Sequence, residues 1–124
     1  PKTMAAFVPM EIARAKEKYD VVLLDDDRTL VHTIWEMVAK SKGHNIKMFS
    51  TPEEFLSAAE SIDRTTPIFI DVSLGNGVSG VDFSEVVHKM GFLNINLATG
   101  YSADSIKAPS FVGRIIGKDY PEDI

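Results

Sequence analysis

Four aspartates stand directly after short apolar segments of the chain. Asp25, Asp26 and Asp27 follow one apolar tetrapeptide, and Asp71 follows a second apolar run. If these runs are neighbouring strands, the carboxylates gather at one end of a sheet, where like charges raise one another's pKa or bind a cation. Carboxylate oxygens are ligands that Mg²⁺ prefers, and a carboxylate can also act as a nucleophile toward a phosphoryl group. The sequence therefore indicates a magnesium site or phosphoryl chemistry.

A hydroxyl and an ammonium group stand in equivalent places farther along the chain. Thr99 follows an apolar run, and Lys118 stands one glycine beyond another. In an open α/β sheet, ligands bind outside the carboxyl ends of the strands. Phosphoryl transfer depends mainly on positioning and on charge neutralisation, which Thr99 and Lys118 would supply, and Gly100 leaves room for the phosphoryl oxygens.

Strands and helices alternate in the predicted secondary structure. Short apolar runs are separated by segments of helical period, which is typical of a βα-repeating protein with a parallel sheet. The predicted strands are Val21–Leu24, His44–Phe49, Pro67–Ile70, Leu93–Ala98 and Arg114–Ile116. Because the carboxyl ends of such strands meet at one edge of the sheet, the polar residues that follow them are expected to lie together.

Three helices are predicted between the first four strands. The first covers Thr29–Lys42, the second begins at the Thr51 cap with a proline at its first position, and the third covers Val81–Met90. Their apolar residues recur at helical spacing, which predicts that these residues face the sheet. The predicted core residues are Leu30, Val31, Ile34, Trp35, Val38, Phe55, Leu56, Ala59, Ile62, Phe83, Val86, Val87 and Met90.

The last part of the chain has weaker helix signals. Pro109 lies within the segment that should hold a fourth helix, so only Ala103–Ala108 could form one or two turns. Pro121 opens what resembles the start of a fifth helix, which is expected to be missing or truncated. Residues 1–19 are expected to be a linker or a helix from an upstream region, and residues 20–124 the domain itself.

The composition is that of a globular protein of one domain. The 124 residues are 44% hydrophobic and 25% charged, with no apolar run of bilayer length and no secretory signal profile. A chain without cysteine has no disulfide, thiol nucleophile or cysteine metal site, and a cytoplasmic setting is expected. A net charge of −5 without a basic cluster disfavours nucleic acid binding. The three histidines lack metal-ligand spacing.

Four motifs occur in order at the ends of predicted strands: Leu24-Asp25-Asp26-Asp27, Ile70-Asp71, Leu97-Ala98-Thr99-Gly100 and Ile115-Ile116-Gly117-Lys118. Together they resemble the receiver domain of two-component response regulators, over a stretch that runs from Asp20 to Pro121. The resemblance implies a flavodoxin-like, doubly wound α/β fold with a five-stranded parallel sheet in the order 2-1-3-4-5.

The resemblance also implies a metal site. Asp71 corresponds to the phosphoacceptor, and Asp25 and Asp26 correspond to the acidic pair that organises Mg²⁺. The main-chain carbonyl of Ser73, two residues past the acceptor, corresponds to a further metal ligand. Asp27 is left as a surface or loop position.

The implied reaction is a Mg²⁺-dependent phosphorylation of Asp71 by a histidine kinase or a histidine phosphotransfer domain. Thr99 corresponds to the switch hydroxyl, and Lys118 to the lysine that pairs with the phosphoryl group. Phosphorylation would shift a protein-interaction surface near the fourth strand. Such a domain catalyses its own phosphorylation and dephosphorylation, is not a turnover enzyme, and has no contact with nucleic acid or membrane. A larger signalling protein, such as a hybrid histidine kinase, is the expected parent.

Three features depart from the receiver pattern. The loop Leu74–Gly80 is glycine-rich and one residue longer than the family's proline-containing loop, and its glycines are interpreted as turn positions. Lys118 precedes Asp119, whereas the family has a proline in a cis peptide there. Ile115 stands where the family often has an aromatic residue that moves with the switch, so the aromatic half of the switch is expected to be absent.

Two other functions remain open at this level. Residues 25–29 also fit the Asp-x-Asp-x-Thr pattern of haloacid dehalogenase-like phosphatases, with Asp25 as nucleophile and Asp27 as general acid. Against this hypothesis, the chain is short for that family with its cap, and Asp71 would have no role. The third hypothesis is a receiver-like interaction module that is not phosphorylated, which the departures at Ile115 and Asp119 favour.

Overall fold

Short strands and helices alternate along residues 18–124, the part of the chain that this computed structural model describes. The strands are β1 Val21–Leu24, β2 Ile46–Phe49, β3 Ile68–Asp71, β4 Ile95–Ala98 and β5 Val112–Ile116. The helices are α1 Val31–Ser41, α2 Pro52–Ala58 and α3 Gly80–Lys89, with 3-10 turns at Ala59–Ser61 and Ala103–Ser105. The predicted alternation of strands and helices is confirmed, with shifts of a few residues at the ends of the elements.

All five strands pair in parallel, in the predicted order β2-β1-β3-β4-β5. Leu24 of β1 pairs with Phe49 on one side and with Ile70 on the other, and Asp71 of β3 pairs with Ala98. The central strands therefore end at nearly the same level. As a result, the residues that follow β1, β3 and β4 are neighbours at one edge of the sheet.

One face of the sheet packs against α1. Alternation along β1 directs Val21 and Leu23 to this face, where they form a buried cluster with Trp35 and Phe69. The rings of Trp35 and Phe69 meet edge to face with their centroids 5.6 Å apart. Because α1 begins shortly after β1 ends, this packing holds the helix next to the acidic end of the strand.

The opposite face packs against α2 and α3. Phe55 of α2 is fully buried and lies at the centre of an aromatic group. Its ring centroid is 5.5 Å from that of Phe49, 5.9 Å from that of Phe83 and 5.6 Å from that of Phe92. Aromatic side chains bury more apolar area than any others, so this group anchors both helices to the sheet.

The predicted core stripe of the helices is wrong at four positions, where the side chains are between 41% and 58% exposed. These positions are Leu30, Ile34, Leu56 and Val86. In α1 the buried residues are Val31 and Trp35, as predicted, together with Ala39, and the three recur every four residues. The side of α1 that faces the sheet is therefore narrower than the apolar stripe, which leaves Leu30 and Ile34 at its margin.

The end of the described chain has little helix. The fourth helix is reduced to the 3-10 turn Ala103–Ser105, which confirms the predicted short fourth helix. Residues 117–124 contain no helix, which agrees with the prediction of a fifth helix that is missing or truncated. The linker or helix predicted for residues 1–19 lies outside the described residues, apart from 18 and 19. Within residues 18–124, no helix has the length and apolar character needed to cross a membrane.

Candidate functional site

Three carboxylates converge at the carboxyl ends of β1 and β3. Asp25 is fully buried and Asp71 is 6% exposed, whereas Asp26 faces solvent. Each offers one carboxylate oxygen, and these oxygens all lie within 4.8 Å of one another. They meet because β1 and β3 are adjacent and in register, with Leu24 beside Ile70. The acidic cluster expected from the sequence is therefore present.

The ammonium group of Lys118 lies between two of these carboxylates. Its Nζ donates to Oδ2 of Asp25 at 2.6 Å and to Oδ1 of Asp71 at 2.9 Å. Lys118 stands two residues after β5, and its side chain is 30% exposed. One cation offsets only part of the negative charge of three carboxylates, so the cluster keeps an excess of negative charge.

Burial controls the protonation of Asp71. Burial raises the pKa of Asp71 to about 6, the hydrogen bond from Lys118 opposes this rise, and the negative charge of Asp25 adds to it. Burial alone would lower the pKa of Lys118, but its hydrogen bonds to Asp25 and Asp71 outweigh burial and raise that pKa. At neutral pH the pair is therefore mainly a carboxylate facing an ammonium group.

The donor atoms of the cluster suit a hard divalent cation. Mg²⁺ binds one or two carboxylates and keeps several waters, and the exposure of Asp26 leaves one side of the cluster open to water. Ser73, whose carbonyl is the further predicted ligand, is exposed two residues after Asp71 and donates its backbone N–H to Oδ1 of Asp71 at 3.2 Å. The residues present thus fit Mg²⁺ in chemical type and in charge.

Thr99 lies at the same edge of the sheet as the acidic cluster. It follows Ala98, which pairs with Asp71, and it is 3% exposed. Its backbone N–H donates to the carbonyl of Ile116 on β5 at 2.9 Å, and its Oγ1 accepts from the backbone N–H of Tyr101 at 3.0 Å. A hydroxyl that accepts one hydrogen bond still has a proton to donate. Thr99 therefore keeps a hydroxyl proton for a further acceptor at this edge of the sheet.

Asp27 lies in the loop between β1 and α1, as expected, and has a local structural role there. Its Oδ1 accepts the backbone N–H of Leu30 at 2.9 Å, at the start of α1. Its own N–H donates to Oδ1 of Asp25 at 2.9 Å. Asp27 therefore ties the first turn of α1 to the acidic cluster.

The glycine-rich loop contains turn glycines and one glycine of another kind. Gly75 and Gly77 have φ values of +83° and +76°, with Asn76 at +52° between them, which agrees with the predicted turn. Gly80 differs, because a Cβ at this position would lie 1.7 Å from the carbonyl oxygen of Asp71. The start of α3 thus packs against the backbone of Asp71 so closely that a side chain has no space.

The side chains of two further residues contact main-chain carbonyls of the site, and sequence patterns do not reveal these contacts. Trp35, predicted only as a core residue, donates its indole N–H to the carbonyl oxygen of Lys118, with Nε1 and O 2.7 Å apart. Nε2 of His32 lies 2.6 Å from the carbonyl oxygen of Asp25. A buried indole N–H usually has an acceptor, but the sequence does not identify which carbonyl provides it.

The departures from the receiver pattern are also visible in the structure. No peptide bond within residues 18–124 is cis, so the bond between Lys118 and Asp119 is trans. Ile115 is half-buried and packs against the core on the α2 and α3 side of the sheet. The lysine is therefore held in place without the family's proline.

Comparisons with known proteins give similarity of fold without close similarity of sequence. No family model matches the chain, and no curated protein is a significant match. Among solved structures, the N-terminal domain of a response regulator/sensory box/GGDEF three-domain protein from Carboxydothermus hydrogenoformans is 18% identical. It has a TM-score of 0.63, with 86% of each chain covered.

Two further solved structures have the same architecture. FixJ-N is 19% identical, with a TM-score of 0.66 and 86% of each chain covered. The response regulator StyR is 18% identical, with a TM-score of 0.63, and the match covers 88% of this chain and 55% of StyR. With its five-stranded sheet in the order 2-1-3-4-5, this chain has the fold of response regulator receiver domains.

Proposed function

We propose that this chain is a phosphoryl-accepting receiver domain of two-component signalling and that Asp71 is the residue that becomes phosphorylated. The observation that carries the proposal is the position of Asp71 at the end of β3, where its Oδ1 lies 2.9 Å from Nζ of Lys118. The same carboxylate belongs to an acidic cluster with Asp25 and Asp26. A nucleophile, a paired cation and metal-type ligands thus occupy one place.

The phosphoryl donor is a phosphohistidine of a histidine kinase or of a histidine phosphotransfer domain. A carboxylate oxygen of Asp71 attacks the phosphorus in line, so the new O–P bond forms as the P–N bond breaks. The electron pair of the broken bond stays on the imidazole of the donor. With a pKa of about 6, Asp71 is mainly the carboxylate at neutral pH and is able to act as the nucleophile. Water later cleaves the acyl phosphate, which releases inorganic phosphate and restores Asp71.

Charge neutralisation supports this transfer. Lys118 already contacts Oδ1 of Asp71, so its ammonium group is in place to pair with an incoming phosphoryl oxygen. Mg²⁺ held by the carboxylates of Asp25, Asp26 and Asp71 and by the carbonyl of Ser73 would supply further positive charge. Phosphoryl transfer needs little else from a protein than this positioning and charge.

Phosphorylation would change the surface around the end of β4. A phosphoryl group adds negative charge and three acceptor oxygens, which attract the hydroxyl of Thr99 and the ammonium group of Lys118. The N–H of Thr99 is bonded to the carbonyl of Ile116, so a shift of Thr99 also affects β5. Tyr101, two residues farther on, is 66% exposed and would report the change to a protein partner. The proposed setting is a cytoplasmic signalling protein, in which this domain contacts neither nucleic acid nor membrane.

The phosphatase hypothesis receives less support from the geometry. It requires Asp25 as nucleophile, but Asp25 is fully buried and paired with Lys118. It also requires Asp27 as general acid, and the Oδ1 of Asp27 accepts the N–H of Leu30 at the start of α1. Asp71 would have no part in that chemistry, although it lies within the same cluster.

One contact of the structure favours the interaction-module hypothesis, in addition to the departures at Ile115 and Asp119. Lys118 pairs with both Asp25 and Asp71, so part of the acidic charge is balanced without any metal or phosphoryl group. A purely structural network would have the same pairs. The distinction between this hypothesis and a receiver is therefore chemical and depends on whether Asp71 accepts a phosphoryl group.

The test is intact-mass measurement of the protein after incubation with acetyl phosphate and Mg²⁺. The wild type should gain one phosphoryl group, Asp71→Ala should gain none, and the matched control Asp104→Ala, an exposed aspartate outside the cluster, should behave as the wild type. No gain of mass in the wild type with acetyl phosphate or with a phosphorylated histidine phosphotransfer domain would favour the interaction module. Repeated turnover of p-nitrophenyl phosphate that Asp25→Ala abolishes and Asp71→Ala does not would favour the phosphatase.

A further inference from the structure

The geometry points to Trp35 as a positioning residue for Lys118. The indole N–H holds the main-chain carbonyl of Lys118 and so places the lysine ammonium group between Asp25 and Asp71. This inference rests on the proposed function, in which Lys118 pairs with the phosphoryl group. It assigns Trp35 a task beyond its place in the core.

The hydrogen bond joins the buried core to an open segment of the chain. Trp35 is fully buried in α1, whereas Gly117 and Asp119 on either side of Lys118 are exposed. Nε1 of Trp35 is 2.7 Å from the carbonyl oxygen of Lys118. Since this segment lies beyond the last residue of β5, Ile116, the bond anchors it where the sheet ladder has ended.

The indole ring is itself held from two sides. Its centroid lies 5.6 Å from that of Phe69 and 5.2 Å from that of Tyr120, both in edge-to-face contact. The contact of Tyr120 with the indole is made by its ring, whereas its hydroxyl lies 2.7 Å from Nδ1 of His44. Rings that are packed in this way have little freedom to rotate, so the direction of the Trp35 N–H is set by the core.

The backbone of Lys118 has to be fixed because its side chain is flexible. Lysine has a flexible four-carbon stem, so its ammonium group is well placed only when its backbone is fixed. Asp119 follows Lys118 and has the ordinary φ freedom that a proline would remove. The Nζ atom must nevertheless reach two carboxylates at 2.6 and 2.9 Å. The indole bond supplies the restraint at the base of the side chain.

The first test removes the indole N–H while keeping an aromatic ring, with Trp35→Phe. Its matched control is Tyr120→Phe, which removes a hydrogen bond from the same cluster, that to His44, without touching Lys118. Trp35→Phe should slow phosphorylation by acetyl phosphate about fivefold, the effect of one lost hydrogen bond, while the control stays within about twofold of the wild type. The Mg²⁺ affinity of the Tyr120→Phe control, measured by calorimetry, should stay within about twofold of the wild type, because this change leaves Lys118 and its two carboxylate partners in place.

A tryptophan analogue of nearly the same shape keeps the test valid if Trp35→Phe does not fold. The chain has a single tryptophan, so incorporation of β-(3-benzothienyl)alanine in place of tryptophan replaces only the Trp35 N–H by sulfur. The same fivefold loss is expected, and the melting temperature should fall by no more than about 8 °C, the shift that one lost hydrogen bond causes in a domain of this size. A rate equal to that of the wild type in either variant would overturn the inference. Equal slowing in Trp35→Phe and Tyr120→Phe would also overturn it, because it would indicate a general effect of core packing.

An independent measurement separates this inference from the proposed function. The only indole N–H of the chain gives one resolved NMR signal, and the bond to Lys118 predicts slow exchange of its proton with solvent. Fast exchange would disprove the hydrogen bond even if Asp71 is phosphorylated. If the wild type accepts no phosphoryl group, the receiver proposal fails, and with it the task of Trp35 in phosphorylation, while slow exchange would still confirm the contact itself.

Discussion

The centre of the sheet and its β5 edge contribute to the candidate site in different ways. β1 and β3 lie inside the sheet and are buried along their whole length, and they carry Asp25 and Asp71. β5 is an edge strand without a fully buried residue, and the register of its pairing with β4 shifts between Ile95 and Leu97. The carboxylates are therefore fixed, whereas Lys118 is attached to the less constrained part of the fold.

This difference suits the proposed phosphorylation switch. A metal-type ligand set has to be rigid, and central parallel strands buried on both faces provide that rigidity. In the proposed switch the group that responds to the phosphoryl group has to move, and elements at the edge of a fold open at lower cost than the core. Trp35 links the two regions, since it packs on Phe69 of β3 and bonds to Lys118 beyond β5. Substitutions at the centre of the sheet are therefore expected to lower the stability of the protein more than substitutions at the β5 edge.

The largest effect is expected from Gly80→Ala, which acts on the backbone of β3. The new Cβ would lie 1.7 Å from the carbonyl oxygen of Asp71, so either α3 or β3 must move. We expect a loss of more than about 3 kcal/mol in the free energy of unfolding. Urea unfolding measures this change. Gly117→Ala at the β5 edge is the control, because its Cβ meets no atom within 4 Å, and a similar loss there would contradict the comparison.

Lys118→Met should have the next largest effect. It leaves the fully buried Asp25 and the nearly buried Asp71 without their cation, which is expected to cost about 2 to 3 kcal/mol at neutral pH. Mg²⁺ should restore part of this loss, since it supplies positive charge to the same carboxylates. Thermal unfolding with and without Mg²⁺ measures both effects.

The control for the lysine variant is Lys40→Met. Lys40 pairs with Glu36 at 3.7 Å on the exposed side of α1, and its side chain is 74% exposed. Its replacement should change the free energy of unfolding by less than about 0.5 kcal/mol and show no dependence on Mg²⁺. Equal effects of the two lysine variants would mean that the site pairs contribute no more than a surface ion pair.

Asp71→Asn should stabilise the protein at neutral pH when no divalent cation is present. Burial raises the pKa of Asp71 from 3.8 to about 6, so the folded state holds this proton more tightly than the unfolded state. Stability is therefore lost as the pH rises from about 4 through 6, and asparagine avoids that loss. The expected gain is about 1 to 2 kcal/mol at pH 7.5, and it should disappear near pH 4. Melting temperatures at the two pH values check this, and a less stable variant at pH 7.5 would contradict it.

The smallest effect is expected from Asp123→Asn near the β5 edge. Arg114 of β5 donates to both carboxylate oxygens of Asp123, at 2.9 and 3.0 Å, and this bonding lowers the pKa of Asp123. The stabilisation is present above the ordinary pKa of aspartate and is lost as the pH falls below it. Because the pair is exposed, the melting temperature at pH 7 should fall by only about 1 °C. A drop as large as that of Gly80→Ala would show that the edge is as sensitive as the centre.

Sequence reasoning was most successful where a residue type is tied to the end of a strand. Asp25 and Asp71 were placed together because apolar runs predict neighbouring strands and parallel strands end at one edge. It was least successful on the faces of helices, where Leu30 and Ile34 were assigned to the core and are exposed. The spacing of apolar residues locates the buried side of a helix to within about one residue. Only the packing of the helix on the sheet decides which of two neighbouring apolar residues is buried.

The sequence by itself determined the fold class, the strand order implied by the receiver resemblance, and the residues that form the acidic cluster. The fold class and the cluster residues follow from local patterns, since the period of apolar residues and the residue after each strand are properties of short segments, whereas the strand order is what the resemblance implies. Only the tertiary structure decided that Lys118 lies between Asp25 and Asp71, that Gly80 packs on the backbone of Asp71, and that Trp35 bonds to Lys118. Such contacts join residues far apart in the chain, and their partners depend on how the elements pack in three dimensions.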